Sequence, residues 1–322
     1  MNHYNNVILI KRRSYHMSSV AFIYDPIFLK HNTGSYHPES SARLESILEA
    51  IEPFKEKLLW LKPSPGLLDV ISEVHPSFHI DRIEQASLDQ EAIDADTQLS
   101  SDSYDAALMA VGAGVEAINA ISAEKAHHAF CAVRPPGHHA TSTQAMGFCL
   151  FNNIAITARY AQAMGYEKVM IIDFDVHHGN GTQDIFYEDS SVFYFSSHQY
   201  PAYPGSGAGH ERGRGDGEGF THNFPLQTYS QDEDILPIYE DDLLEDIESF
   251  QPDIILVSAG YDLHINDPLA QLQITTEGIA KIVEAIMRHS SVPKIFMLEG
   301  GYNLHALGDS VAQTLEVMLE HT

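Results

Sequence analysis

Asp173, Asp175 and His177 stand two residues apart, at the end of the apolar run 169–172 and just before the turn Gly179-Asn180-Gly181. The run reads as a buried strand that the turn closes. Alternate strand side chains share a face, so the spacing predicts that the three point the same way. Two carboxylates and an imidazole at the end of a buried strand cost free energy unless something binds them. A divalent cation is the simplest compensation; a capped loop with an internal ion pair is the alternative. A catalytic zinc site needs three protein ligands and one open position. Asp175 and His177 supply two, and Asp262 is the best third, because it follows another buried strand, 253–258. Asp267, just before Pro268, fits a loop or cap carboxylate instead.

His138 and His139 follow the rigid turn Pro135-Pro136-Gly137 and read as a functional pair of imidazoles. Asp173 is available to hold the tautomer of one. Asn180 can pair with the other; a neutral partner raises an imidazole's proton affinity less, leaving it free to take and return a proton near neutrality. Tyr302 follows Gly300-Gly301, and flanking glycines let the backbone swing a phenol into a cleft. There its hydroxyl can donate to a developing oxyanion; a packed turn aromatic is the alternative.

These residues need elements to carry them. Strands are predicted over 20–24, 58–61, 129–133, 169–172, 192–196, 253–258 and 294–298. Amphipathic helices alternate with them. Leu44, Ile47, Leu48 and Ile51 mark one apolar face, Leu108, Val111, Val115 and Ile118 a second, and Ile279, Ile282, Val283 and Ile286 a third. A further helix is predicted over 236–250, and 200–219 reads as a long Gly- and Pro-rich loop, functional or mobile. Strands alternating with helices imply an α/β fold whose parallel sheet is covered on both faces. The pattern shows no repeat and no linker, so 18–322 reads as a single catalytic domain after an N-terminal extension, 1–17. That extension carries Lys11-Arg12-Arg13, and Met17 is an alternative start.

Hydrophobic residues make up 44% of the 322 and charged residues 20%, an ordinary globular balance. The net charge of −27 is not ordinary. It argues against direct binding to nucleic acid or an anionic membrane and favours cationic ligands. No apolar run is expected to reach the length of a membrane span. Two cysteines in apolar surroundings, Cys131 and Cys149, are no disulfide framework and fit a reducing, cytoplasmic compartment.

Together the stretches Arg134-Pro-Pro-Gly-His-His-Ala140, Gly147-Phe-Cys149, Asp173-Phe-Asp-Val-His-His-Gly-Asn-Gly181, Tyr203-Pro-Gly-Ser-Gly207, Ala259-Gly-Tyr-Asp262 and Leu298-Glu-Gly-Gly-Tyr302 resemble zinc-dependent histone deacetylases. The likeness is to the class II-like branch, with its bacterial amidohydrolases and acetylpolyamine amidohydrolases, and it runs in order over roughly residues 18–320. It implies the arginase–deacetylase fold, a single domain with a central eight-stranded parallel sheet. It implies zinc on Asp175, His177 and Asp262, with Fe2+ as an alternative for oxygen and nitrogen ligands, and a structural potassium ion near Asp173, Asp175, His177 and Ser196. His139 would be the general base, His138 with Asp173 its electrostatic support, and Tyr302 the group that polarises the acyl carbonyl. Gly147, Phe148 and Tyr203 would line a narrow channel. Leu269 stands where polyamine-preferring members carry an acidic gatekeeper, which favours an acyl-lysine substrate over an acetylpolyamine. A binuclear manganese ureohydrolase of arginase type and an acyl-lysine binder without turnover are the other readings. A homo-oligomer is compatible with all of them.

Overall fold

The structure is a computed structural model that describes residues 20–321; the extension 1–17 lies outside the described residues. Eight strands form one sheet: β1 (Val20–Ile23), β2 (Leu59–Leu61), β3 (His128–Cys131), β4 (Val169–Asp173), β5 (Val192–Gln199), β6 (Thr221–Leu226), β7 (Ile254–Ala259) and β8 (Lys294–Leu298). Their order is β2-β1-β3-β8-β7-β4-β5-β6, and every pairing is parallel. The helices are α1 (Ser41–Ala50), α2 (Leu68–Ser72), α3 (Ser77–Asp89), α4 (Ser103–Ser122), α5 (Asn153–Ala163), α6 (Asn180–Phe186), α7 (Asp232–Pro237), α8 (Leu243–Phe250), α9 (Thr276–Arg288) and α10 (Leu304–Glu320). Strands β1, β3, β4, β7 and β8 are buried at every position. That is why they read as unbroken apolar runs rather than as alternating ones.

The register explains where chemistry can collect. Cys131 of β3 lies opposite Met297 of β8, Met297 opposite Ser258 of β7, and Ser258 opposite Asp173 of β4. Four neighbouring strands therefore end within one residue of a single row across the middle of the sheet. The chain leaves that row through 134–139, 299–303, 260–262 and 174–179. In open parallel sheets the crevice beyond the carboxyl ends of the strands is where ligands bind.

Three elements differ from the sequence expectation. Strand β6 is an eighth strand, in a stretch after the 200–219 loop where the residue pattern marked no element. Pro225 interrupts its apolar pattern, and β6 tolerates a proline because it is an edge strand paired only with β5. The helix expected over 236–250 begins earlier, at Asp232, and contains Pro237 followed by a π turn, Ile238–Asp242, before α8. Proline has no N–H to donate, and the wider turn accommodates the missing bond. Finally, α4 is long and apolar enough to cross a membrane, at 20 residues with a mean hydropathy of 1.2, contrary to the expectation of no such run. Its Ala106, Ala110, Val111, Ala117 and Ile118 are buried against the sheet and α5, which accounts for the composition as that of a core helix.

Candidate active site

Strand β4 stops at Asp173, so the pleat does not carry Asp175 and His177. The turn after it does. The Asp175 N–H donates to Asp173 Oδ1 (3.2 Å) and the His177 N–H to Asp175 Oδ1 (2.9 Å). The Val176 N–H reaches across to Asp262 Oδ1 at 3.0 Å, tying the turn after β4 to the turn after β7. His177 Nδ1 then lies 3.3 Å from Asp175 Oδ1 and 3.1 Å from Asp262 Oδ2. Asp175 and Asp262 are buried and His177 nearly so. Gly300 sends its N–H to Asp175 Oδ2 at 2.8 Å, and a Cβ on Gly300 would collide with both carboxylates.

The fit of this trio to a divalent ion can be tested on distances. Four ligands about 2.05 Å from a tetrahedral centre lie about 3.3 Å from one another. The two His177–carboxylate separations match. The field agrees as well. Burial disfavours charge on His177, yet hydrogen bonds to Asp175 and Asp262 push its proton affinity up to about 10. Burial and the nearby Asp175 push Asp262 upward. A cation answers the same field and would displace that proton. A second group among the described residues, His138, Cys149 and Glu299, is close enough to ligate but otherwise engaged. His138 Nδ1 faces Asp173 Oδ2 at 3.0 Å; Glu299 Oε2 accepts the Gly137 and His138 N–H groups at 2.6 and 3.2 Å; burial pushes the Cys149 thiol well up. The donor set of Asp175, His177 and Asp262 is the one that fits a metal.

The paired histidines have different partners and opposite electrostatics. Asp173 Oδ2 accepts from His138 and also from the Tyr194 hydroxyl at 3.1 Å. Burial disfavours the His138 cation, but Asp173, Asp175 and Glu299 outweigh it and raise its proton affinity to about 10. His139 Nδ1 donates to the Asn180 Oδ1 amide oxygen at 2.8 Å. Burial, then the neighbouring His138 and His177, hold His139 well below the ordinary imidazole value. The surroundings thus favour the protonated form of His138 and the neutral form of His139.

Tyr302 sits on the turn after β8. Burial, then Asp262, push its phenol well above its usual range, so it stays a donor. The Arg43 guanidinium lies 5.0 Å from its ring centre and Phe148 meets it edge-on at 5.9 Å. Arg43 in turn donates to the Gly301 carbonyl at 2.7 Å and the Glu299 carbonyl at 2.5 Å, bracing the turn from below. These groups share a cavity of about 370 Å³, lined by His37, Pro38, Asp96, His138, His139, Gly147, Phe148, His177, Tyr203, Leu269, Gly300 and Tyr302. Tyr203 meets His139 edge-on at 5.1 Å. Gly147 (φ +55°) admits no side chain, since a Cβ would stand 2.5 Å from the His139 ring. Phe148 adopts φ +70°, a conformation L-residues seldom hold, and its N–H is tied to Thr97 Oγ1 at 3.3 Å. Asp173 and Asn180 stand behind the cavity wall as hydrogen-bond partners of the two histidines.

Four residues here were not expected from sequence. Glu299 lay within a quoted motif, and its signal was the one that marked Asp173, a carboxylate closing an apolar strand. Arg43 interrupts the apolar face of α1, a placement that needs a buried partner. Tyr194 gave no signal beyond its place in the apolar run of β5. Asp267, a loop or cap carboxylate by sequence, accepts the Tyr302 N–H at 2.7 Å.

The chain matches the histone deacetylase domain over residues 37–318. It is 40% identical to an uncharacterized protein of Synechocystis sp., over 93% of this chain and 99% of that one. It is 41% identical to a rice protein named histone deacetylase 10, chloroplastic (88% and 70%), and 35% identical to a probable deacetylase of Archaeoglobus fulgidus (86% and 79%). A crystal structure of the HDA15 HD domain superposes with a TM-score of 0.90 at 34% identity, covering 94% of this chain and 89% of that one. Fold and site define a deacetylase of the α/β class with one all-parallel eight-stranded sheet. The chain belongs to the histone deacetylase family.

Proposed function

We propose that the protein is a zinc-dependent amidohydrolase that removes an acetyl or similar acyl group from an acylated lysine or related acylated amine. The observation that carries this reading is the convergence, around one cavity, of an Asp-His-Asp donor set, a neutral histidine and an unionised tyrosine. Asp175, His177 and Asp262 would hold the ion. When bound, zinc supplies Lewis acidity to the acyl carbonyl and acidifies a water molecule.

The chain's own residues do the rest. His139, kept neutral, takes a proton from the attacking water through Nε2, while Asn180 fixes its Nδ1–H tautomer. The same Nε2–H then gives a proton to the departing amine. His138, charged and clamped by Asp173, lowers the cost of negative charge growing nearby. Tyr302 donates its hydroxyl proton in a hydrogen bond to the acyl oxygen as that charge develops. Gly147, Phe148 and Tyr203 leave room for an extended alkyl chain and little else, so water other than the reacting molecule is displaced. A potassium ion near Asp173, Asp175, His177 and Ser196 would be structural.

An acetylpolyamine is the second reading for the substrate. Asp96 lines the cavity; burial, then Cys149, and after them Asp94 and Asp96 hold the Tyr203 phenol above its ordinary range, so these two acids add negative charge near the channel wall. Leu269 in place of an acid favours acyl-lysine. The test is turnover of a fluorogenic acetyl-lysine amide beside acetylputrescine and acetylspermidine, with metal content measured. The expected result is chelator-sensitive turnover, fastest on the lysine amide. Binding without turnover by zinc-loaded protein, or turnover indifferent to chelation, would overturn the reading.

A further inference from the structure

Asp267 is 8% exposed and belongs to no catalytic role described above. It follows α-carbon by α-carbon the path out of β7, five residues beyond Asp262. Both of its oxygens are committed to backbone donors. Oδ1 accepts the Leu269 N–H at 2.9 Å. Oδ2 accepts the Tyr302 N–H at 2.7 Å and the Asn303 N–H at 3.3 Å. The Asn303 side chain closes the same contact from the other side, donating to the Asn266 carbonyl at 3.0 Å while it caps α10 through the Ala306 N–H. One carboxylate therefore holds two cavity-lining residues at once: the tyrosine at the floor and the leucine at the rim.

The turn that carries Tyr302 is also held by Arg43 at the Gly301 carbonyl and by the Gly300 N–H on Asp175, but the Tyr302 nitrogen itself is held by Asp267. Gly301 precedes Tyr302 at φ +118°, a conformation open to glycine and otherwise easily left. Among the described residues, none hydrogen-bonds the Tyr302 hydroxyl, so the ring is aimed by its backbone and by packing, the Arg43 and Phe148 contacts included. Hydrogen bonds to an ionised carboxylate are about twice as strong as neutral ones; burial, then Asp262, raise this carboxyl to about 7, and in its ionised form the anchor falls on the Tyr302 nitrogen itself. A hydrogen-bond donor for a developing oxyanion works only if it is already in place when charge appears.

We propose that Asp267 is a positioning residue for the hydrolytic reaction: it aims Tyr302 at the acyl oxygen and, through Leu269, sets the rim across which the substrate enters. This rests on the reading of Tyr302 as the oxyanion donor. An amide in place of the carboxylate has one acceptor oxygen and one NH2 group, so it cannot serve Leu269 and Tyr302 together.

The test is a double-mutant cycle on the zinc-loaded protein, with Asp267→Asn, Tyr302→Phe and both together, on a fluorogenic acetyl-lysine amide. Asp267→Asn is expected to lower kcat by about tenfold or more, within the range a displaced catalytic group produces. KM should shift far less, with melting temperature and zinc content close to the parent's. In the Tyr302→Phe background the same substitution should change kcat by less than about threefold, because the group it positions is gone. Equal losses in both backgrounds would overturn the proposal, as would a loss confined to KM or to zinc content. If Tyr302→Phe alone leaves kcat intact, it is the oxyanion reading that fails instead. Asp267→Ser completes the same cycle should the asparagine variant not accumulate as folded protein.

Discussion

Single side chains here are set by the partner each one keeps. His138 and His139 are adjacent in sequence, and their ring centres are 4.0 Å apart, yet one faces a carboxylate and the other an amide. Asn180→Asp should erase that difference. A carboxylate beside His139 favours its protonated form, so its pKa rises and the acid limb of the kcat/KM profile moves to higher pH; an unmoved limb would place the titrating base elsewhere. Tyr302→Phe removes only a hydroxyl. Losing one oxyanion donor costs roughly 10²- to 10³-fold in kcat, and KM is expected to change little, because the bond matters most in the transition state. Equal changes in both constants would make Tyr302 a binding residue. Much of this was legible in the sequence, because Asp, His and Tyr at the ends of apolar runs are costly unless used. The partners of the backbone were not. Glu299 and Asp267 act on N–H groups, which every residue but proline carries, so nothing in the sequence marks which ones they hold.

The elements work by delivering four turns to one row. Strands β3, β8, β7 and β4 are adjacent, and they end within one residue of a common row. The strands themselves were readable as apolar runs bounded by Gly and Pro. Strand β6 was not, since Pro225 breaks the pattern and an edge position forgives it. The order of strands was not readable either, because no local feature of β3 says that β8 will lie beside it. Loops are held as closely as strands. Gly147→Ala places a methyl against the His139 ring in a backbone conformation that costs an L-residue about 1–2 kcal/mol. The expected outcome is a fall in kcat of about a hundredfold with the far-UV circular dichroism unchanged. Parent-like activity would mean that the channel wall is free to retreat.

The whole molecule pairs an acidic exterior with a buried ionic knot that joins the chain's beginning to its end. Glu39, before α1, is fully buried and binds Arg134 from the turn after β3 and Arg43 from α1, while Arg43 reaches the turn after β8. Burial raises the Glu39 carboxyl, but Arg134 and then His31 and Arg43 overcome that and hold it at about 2, against an ordinary 4.5. Because the folded value is the lower one, this stabilisation is fully present above pH 4.5 and is lost as pH falls toward about 2. Glu39→Gln should flatten acid unfolding across that window. At neutral pH it should cost about 3–5 kcal/mol by chemical denaturation, since two buried guanidinium groups lose their counter-charge. A variant as stable as the parent would show the knot to be neutral to folding. The central claim is narrower: one ion, held by Asp175, His177 and Asp262. Zinc bound per chain, measured by elemental analysis in the parent and in Asp262→Ala, tests it most directly. The account predicts one ion in the parent and almost none in the variant; two ions in the parent, or unchanged content in the variant, would contradict it.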